Sequence, residues 1–374
     1  MFRIRRSLAI ILGLAVVLVM VILFHHVVAV ADGFVGTIFT VIAAWPVIED
    51  RWRKRKIGRD DDKQAVAGAV TALAEAVMME AEDEARLLRL RDPWPLQVRW
   101  VNTKRPVTDH WQAIHGVPGR NRPVSLSGKL ADICGVFTKV PSGRLVILGG
   151  PGAGKTVLAL ALVQEMLQQR GPADPVAVRF PLRSWNPAEL SMRAWMARWL
   201  SDSYGGHRGR RRIPVLFEKM IAAGLVLPVL DGLDEIPPPL RLSALARLNR
   251  EFGQDDRLVL TCRPGEYEET VSAPDGDVLT AAAVIELQPL RHKDLLDYLR
   301  VTTSLSKADK WEPLIADLAT YPDGPAAQAL STPLMAWLAR TAYSEAGPTH
   351  LSSWPRAPTG SDCSRRGSTS RNAC

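Results

Sequence analysis

A chain of 374 residues, 47% hydrophobic and 23% charged, is more than one ordinary domain and long enough to bury a sizeable core, which excludes collagen-like, disordered and disulfide-scaffold classes. Its 47 Lys+Arg against 39 Asp+Glu give a formal net charge of +8, yet residues 1–6, 51–59 and 347–374 carry more than that whole excess, so the remainder is mildly acidic. Direct nucleic-acid binding is therefore not expected.

The N-terminus is apolar. Leu8 to Phe24 holds no charge, Val27 to Ala31 extends it, and a second apolar run from Gly33 to Ile48 follows Asp32. A helix needs about 20 apolar residues to cross a hydrocarbon core of roughly 30 Å. The pattern predicts a transmembrane hairpin with spans at about 8–31 and 33–48, inside a segment 1–56 that ends in a basic flank. Basic residues lie outside both runs, Arg3, Arg5 and Arg6 before the first and Arg51 to Lys56 after the second, so both termini are expected in the cytoplasm. That makes the chain a multi-pass protein of the cell membrane with its globular part in the cytoplasm. Two alternatives stand beside it: a cleaved signal peptide, for which Ala29-Val30-Ala31 offers a small-x-small site, and a single span with the second run lying in the interface.

Residues 57–97 form the connection to the globular part. Asp60 to Arg91 predicts an amphipathic helix with Val66, Val70, Leu73, Val77, Ala81, Leu87 and Leu88 on its apolar face, ended by Asp92-Pro93-Trp94-Pro95. The four cysteines, Cys134, Cys262, Cys363 and Cys374, show neither metal-ligand spacing nor a dense framework and suit a reducing compartment.

Leu145 to Leu148 predicts a short buried strand, followed by Gly149-Gly150-Pro151-Gly152-Ala153-Gly154-Lys155-Thr156 and a helix from Val157 to Gln169. This is G-x-x-x-x-G-K-T in the strand-to-helix setting that its chemistry requires. Glycines let backbone N–H groups wrap phosphates, the helix start adds positive potential, Lys155 is placed to reach the β and γ phosphates, and Thr156 to ligate Mg²⁺. ATP or ADP with Mg²⁺ is the expected cofactor set.

Between this loop and the next strand, Arg208, Arg210, Arg211 and Arg212 among glycines predict a solvated loop. Leu225 to Leu230 then predicts a second strand, ending in Asp231-Gly232-Leu233-Asp234-Glu235. Asp231 is the candidate second metal ligand, and Asp234 and Glu235 are candidates to orient or deprotonate an attacking water. Leu258 to Leu260 predicts a third strand, running into Cys262-Arg263-Pro264, where Arg263 is a candidate contact to the γ-phosphate. Cys262 reads as a small buried residue, since no histidine lies near it.

The runs GGPGAGKT, LPVLDGLDE and LVLTCRP resemble the NACHT family of STAND P-loop NTPases, and the feature that singles out this family is Gly232 after the metal-site Asp231, followed by the acidic pair Asp234-Glu235. The resemblance runs from about Val98 to Ala346 and includes Leu330-Ser331-Thr332-Pro333-Leu334-Met335, similar to the family's small helical-domain motif. It implies a three-layer αβα fold with a parallel sheet (98–290), a small helical domain (291–346), and Pro333 packed near the adenine. It further implies slow ATP hydrolysis as a signalling switch, closed with ADP and open and homo-oligomeric with ATP, acting on a protein partner the sequence does not identify.

Beyond Glu345 the helical periodicity stops. Residues 347–374 are rich in Ser, Pro, Gly and Arg, a composition expected either of a disordered tail or of GC-rich coding DNA read out of frame, so the family's winged-helix and sensor regions are expected to be missing. Two other functions fit the same motifs: a nucleotide-binding membrane scaffold with vestigial hydrolysis, and a P-loop kinase of a small molecule.

Overall fold

The computed structural model describes residues 64–87, 96–205, 213–253, 255–302 and 308–345. The expected hairpin at 8–48 with its basic flank, the arginine cluster at 208–212, Cys363, Cys374 and the tail at 347–374 lie outside the described residues. Among those described, no helix is long and apolar enough to cross a membrane. The chain's contacts divide it after Ala65, and the architecture below belongs to the unit from Val66 onward.

Helix α1 (64–87) buries Val70, Leu73, Val77, Ala81 and Ala85, a stripe at the three- and four-residue spacing of one helical face. Leu87, expected on that stripe, is 83% exposed. Two residues beyond Ala85 it has turned through about 200° and faces the opposite side. Leu88 lies outside the described residues.

Strands β1 (Arg99–Asn102) and β2 (Gly128–Lys129) precede the first parallel strand, with the short helices α2 (Trp111–His115) and α3 (Ile133–Thr138) beside them. The parallel set is β3 (Arg144–Leu148), β4 (Val176–Pro181), β5 (Val226–Asp231), β6 (Leu258–Cys262) and β7 (Ala283–Gln288). Helix α4 (Lys155–Gln168) follows β3; α5 (Met192–Tyr204) and α6 (Ile213–Ala222) follow β4; α7 (Pro238–Glu251) follows β5; and α8 (Pro264–Val271) follows β6. Strand order is β2-β1-β7-β3-β6-β5-β4. The sheet expected as parallel therefore carries two antiparallel strands, β1 on β7 and β2 on β1. They cover the open edge of β7, and a two-residue strand leaves little edge of its own.

Every residue of β3, β5 and β6 is buried, which requires cover on both faces of the sheet. Right-handed crossovers supply it: the chain leaves β3 toward β4 in one direction and returns through β5, β6 and β7 in the other, so α4 lies on the opposite face from the helices that follow. The reversal falls between β3 and β6, and ligands of such sheets bind at the carboxyl ends of the strands beside that point. At the other end, the Arg144 side chain is 1% exposed and donates to the carbonyls of Asp256, Thr280, Phe252 and Gly253, stitching the starts of β3, β6 and β7 together.

Among the described residues the hydrophobic interior forms one large cluster from Val70 to Leu287, a second from Leu290 to Ala336, and a small third one of Ala81, Ala85 and Leu160. The second is built by α9 (His292–Thr302), α10 (Ala308–Thr320), α11 (Pro325–Ala329) and α12 (Pro333–Glu345).

Candidate functional site

The phosphate loop joins β3 to α4. Gly149 donates to Cys262 O at 3.1 Å, tying the loop to the end of β6, and Ala153 donates to Gly150 O at 3.2 Å, closing its tip, where Pro151 is exposed. Gly152 and Gly154 take φ of +69° and +98°, a region that other residues occupy only under strain. The first bond of α4 runs from Leu158 N–H to Gly154 O, which leaves the N–H groups of the preceding turn without acceptors inside the helix. Lys155 Nζ donates to Gly149 O at 2.8 Å and reaches Gly150 O at 3.5 Å, so the ammonium lies back across the loop's own carbonyls. A ring of forward-facing amides with one lysine across it suits a polyphosphate.

Thr156, Asp231 and Glu235 line one cavity of about 420 Å³. Asp231 ends β5 and is 8% exposed; Thr261 of β6 donates its hydroxyl to Asp231 Oδ1 at 2.6 Å, and Arg179 of β4 reaches Oδ2 at 3.3 Å. A hydroxyl and a carboxylate in one cavity at the end of the phosphate loop are the oxygen donors that Mg²⁺ takes, so the residues present fit a Mg–nucleotide.

Gly232, at φ +85°, lets the chain turn after Asp231, and its N–H donates to Thr261 Oγ1 at 2.8 Å. A Cβ there would stand 2.9 Å from Glu235 Cδ, so a glycine allows the Glu235 side chain to fold back over the turn. Arg241 of α7 holds that turn by donating to Ile236 O and Asp234 O.

The structure brings Asp234 and Arg263 together. Arg263 Nε lies 2.9 Å from Asp234 Oδ2, the Arg263 backbone N–H donates to Oδ1 at 3.1 Å, and the Arg263 guanidinium also reaches Glu266 at 3.4 Å. The sequence offered Asp234 as a water-directed acid and Arg263 as a contact to the γ-phosphate. Here their charges are spent on each other, and Glu235 is the member of the acidic pair that lines the cavity. Cys262 is fully buried, and burial pushes its thiol well above the usual range, as a packing residue requires.

Pro333 is the first residue of α12, preceded by Thr332, whose hydroxyl accepts from Met335 N–H at 3.3 Å. Leu334 N–H donates to Gly152 O at 3.3 Å, and Pro333 Cγ would lie 3.9 Å from a Cβ on Gly154. The start of α12 therefore rests on the phosphate loop. A bond from Leu290 N–H to Ser331 O, 2.7 Å, fastens the same turn to the end of the sheet domain.

Sequence reasoning missed Arg179, Thr261, Arg241 and Glu84. Glu84 of α1 pairs with Arg179, so the connecting helix reaches the site. Arg179 carried a usable signal: a lone charge between Val178 and Phe180 in an apolar run needs a partner.

Residues 144–306 match the family model of the NACHT domain. Over 135 residues the chain is 27% identical to the phosphoglucosamine mutase of Granulibacter bethesdensis, covering 33% of this chain and 29% of that protein, so it spans under a third of that relative's length. Among solved structures it is similar to the Aeropyrum pernix ORC1 protein in complex with DNA, at 16% identity over 57% of this chain and 58% of that one, TM-score 0.34. It is also similar to C. elegans PCH-2, at 16% over 58% and 60%, TM-score 0.30, and to Pyrobaculum aerophilum Cdc6p, at 19% over 46% of each chain, TM-score 0.28. The chain spans at most 60% of any of these three. With the glycine loop, Lys155 and the acidic strand end set out at 144–306, this chain carries a NACHT domain, a nucleotide-binding P-loop NTPase.

Proposed function

We propose that the chain is a membrane-anchored NACHT ATPase that binds Mg–ATP and hydrolyses it slowly as a signalling switch. The observation that carries the reading is the shared cavity of Thr156, Asp231 and Glu235 beside the Lys155 loop. Lys155 would meet the β and γ phosphates, Thr156 and Asp231 would hold Mg²⁺, and Glu235 would orient the attacking water. When bound, Mg²⁺ supplies neutralisation of charge on the phosphate oxygens. Asp234 and Arg263 act as a pair that sets the turn in which Glu235 sits. The α12 start on the loop suits a lid that responds to the nucleotide, with Pro333 beside the base, and release of that lid is the step by which an ATP-bound chain would self-associate and engage a protein partner.

The test is Lys155→Ala, because the loop supplies geometry while this ammonium supplies the nearest full charge. Mg–ATP binding by calorimetry is expected to fall below detection, and phosphate release without any added acceptor is expected of the wild type alone. Equal affinity in both proteins would overturn the assignment. The two apolar runs before residue 49, flanked by basic residues, support the anchor, with the ATPase on the cytoplasmic side. Burial of apolar helices is not screened by ions, so the chain should remain in the membrane pellet through a high-salt wash. Release into the supernatant would remove the anchor from the proposal.

A further inference from the structure

We infer that Arg179 is a positioning residue that latches helix α1 to the metal-site carboxylate Asp231, so that docking of α1 and loading of Mg²⁺ oppose one another. The inference rests on the reading of Asp231 as a metal ligand. Arg179 lies within β4, in register with Val229, and its neighbours Val178 and Phe180 are fully buried. A guanidinium is tolerated in such a place only when its charge is met, and it cannot shed its proton. Two carboxylates meet it. Nη1 reaches Asp231 Oδ2 at 3.3 Å, and Nη2 donates to Glu84 Oε2 on α1. The side chains of Arg179, Asp231 and Glu84 are 23%, 10% and 28% exposed, so water screens this chain of charges only in part.

Both Asp231 oxygens are occupied. Thr261 holds Oδ1 with a neutral hydroxyl, whereas Arg179 holds Oδ2 with a full positive charge. A divalent cation joining Asp231 in the cavity it shares with Thr156 meets that charge at hydrogen-bonding distance from its own ligand, and one of the two cations must give way. Arg179 can move without losing its pairing, because Glu84 remains. Because, among the described residues, Glu84 is held to β4 only through this guanidinium, a shift of Arg179 away from Asp231 must either carry Glu84 with it or break their pair, and either loosens the end of α1 that Glu84 anchors. By linkage the effect is reciprocal: an anchored α1 weakens Mg²⁺ binding by the factor by which Mg²⁺ weakens the anchor.

The full chain is tested with two readouts. One is the Mg²⁺ concentration that half-saturates binding of a fluorescent ATP analogue, and the other is amide exchange across residues 76–87 with ATP in EDTA or in Mg²⁺. In the wild type, Mg–ATP is expected to raise exchange in α1 while ATP in EDTA does not. Arg179→Gln should lower the half-saturating Mg²⁺ about threefold or more, since a competing charge is gone, and leave α1 exchange high with or without Mg–ATP. Arg179→Lys, which keeps the charge, should retain the wild-type Mg²⁺ requirement. Should Arg179→Gln fail to fold, Glu84→Gln decides: it should raise α1 exchange before nucleotide is added and remove the response to Mg–ATP. An unchanged or higher Mg²⁺ requirement in Arg179→Gln, or α1 exchange indifferent to Mg–ATP in a wild type that binds it, overturns the latch alone. A wild type that binds no Mg–ATP overturns the functional reading and the latch together.

Discussion

Arg263 grips both oxygens of Asp234, one through Nε at 2.9 Å and the other through its own backbone N–H at 3.1 Å. The Asp234 side chain is 6% exposed, so this carboxylate bridges the ends of β5 and β6 and has little freedom to approach a substrate. Glu235, one residue on, is exposed and folds back over Gly232 toward the cavity that holds Thr156 and Asp231. The acidic pair thus divides into a buried carboxylate paired with Arg263 and an exposed one that lines the cavity.

That division predicts opposite phenotypes. Glu235→Gln should lower turnover about tenfold or more, near 1.4 kcal/mol of transition-state stabilisation, with ATP affinity largely kept. Asp234→Asn should instead lower stability by about 1–2 kcal/mol, the scale of lost hydrogen bonds to a charged group. Single-turnover phosphate release and chemical denaturation separate the two. If Asp234→Asn lost turnover at unchanged stability, the roles would be exchanged.

How much of this was legible follows from which contacts are local in sequence. The phosphate loop could be read because its chemistry is contiguous, from Gly149 to Thr156, and because an apolar strand and a helix flank it. Asp231 to Glu235 could be read as an acidic strand end, but the split between Asp234 and Glu235 depends on Arg263, 29 residues away in the chain. Arg179 reaches Asp231 across 52 residues and Glu84 across 95, distances at which only the strand order decides who meets whom. The same holds for β1 and β2: two short segments ahead of the loop give no sign that they will cap the edge of β7, because edge pairing depends on which strand is left open.

Arg144 predicts a large structural effect far from the site. It donates to the carbonyls of four other residues while 1% exposed, and burial pulls its guanidinium below the usual value without neutralising it. Arg144→Met keeps the apolar stem but leaves those carbonyls without their donor. Leaving buried polar groups unpaired costs about 1–3 kcal/mol each where water cannot reach them, and partial hydration here brings the expected loss to about 2–4 kcal/mol. Urea denaturation measures it, and an unchanged midpoint would mean that water replaces the guanidinium.

Asp294 predicts how the helical part responds to acid. This residue of α9 accepts from Arg291 at 2.9 and 3.1 Å and from Arg99 of β1 at 3.1 and 3.4 Å, so it fastens the helical cluster to the edge of the sheet. The hydrogen bonds from Arg291, followed by those from Arg99, hold its carboxyl below the ordinary value of 3.8, against the opposing effect of burial. A carboxyl whose folded value is depressed adds stability that is fully present above its unfolded value and is lost as pH falls through the folded one. Asp294→Asn should therefore lower the melting temperature by a constant amount above about pH 5, and the gap to wild type should close only below the ordinary carboxylate value. Arg99→Gln, which removes the clasp from the sheet side, should reproduce part of the loss over the same range. Melting curves at stepped pH give the comparison. A gap that widened with acid, or that was absent at neutral pH, would show that these arginines do not favour the ionised Asp294 in the folded chain and that the helical cluster is fastened by its apolar contacts and by backbone bonds such as Leu290 N–H to Ser331 O and Leu334 N–H to Gly152 O.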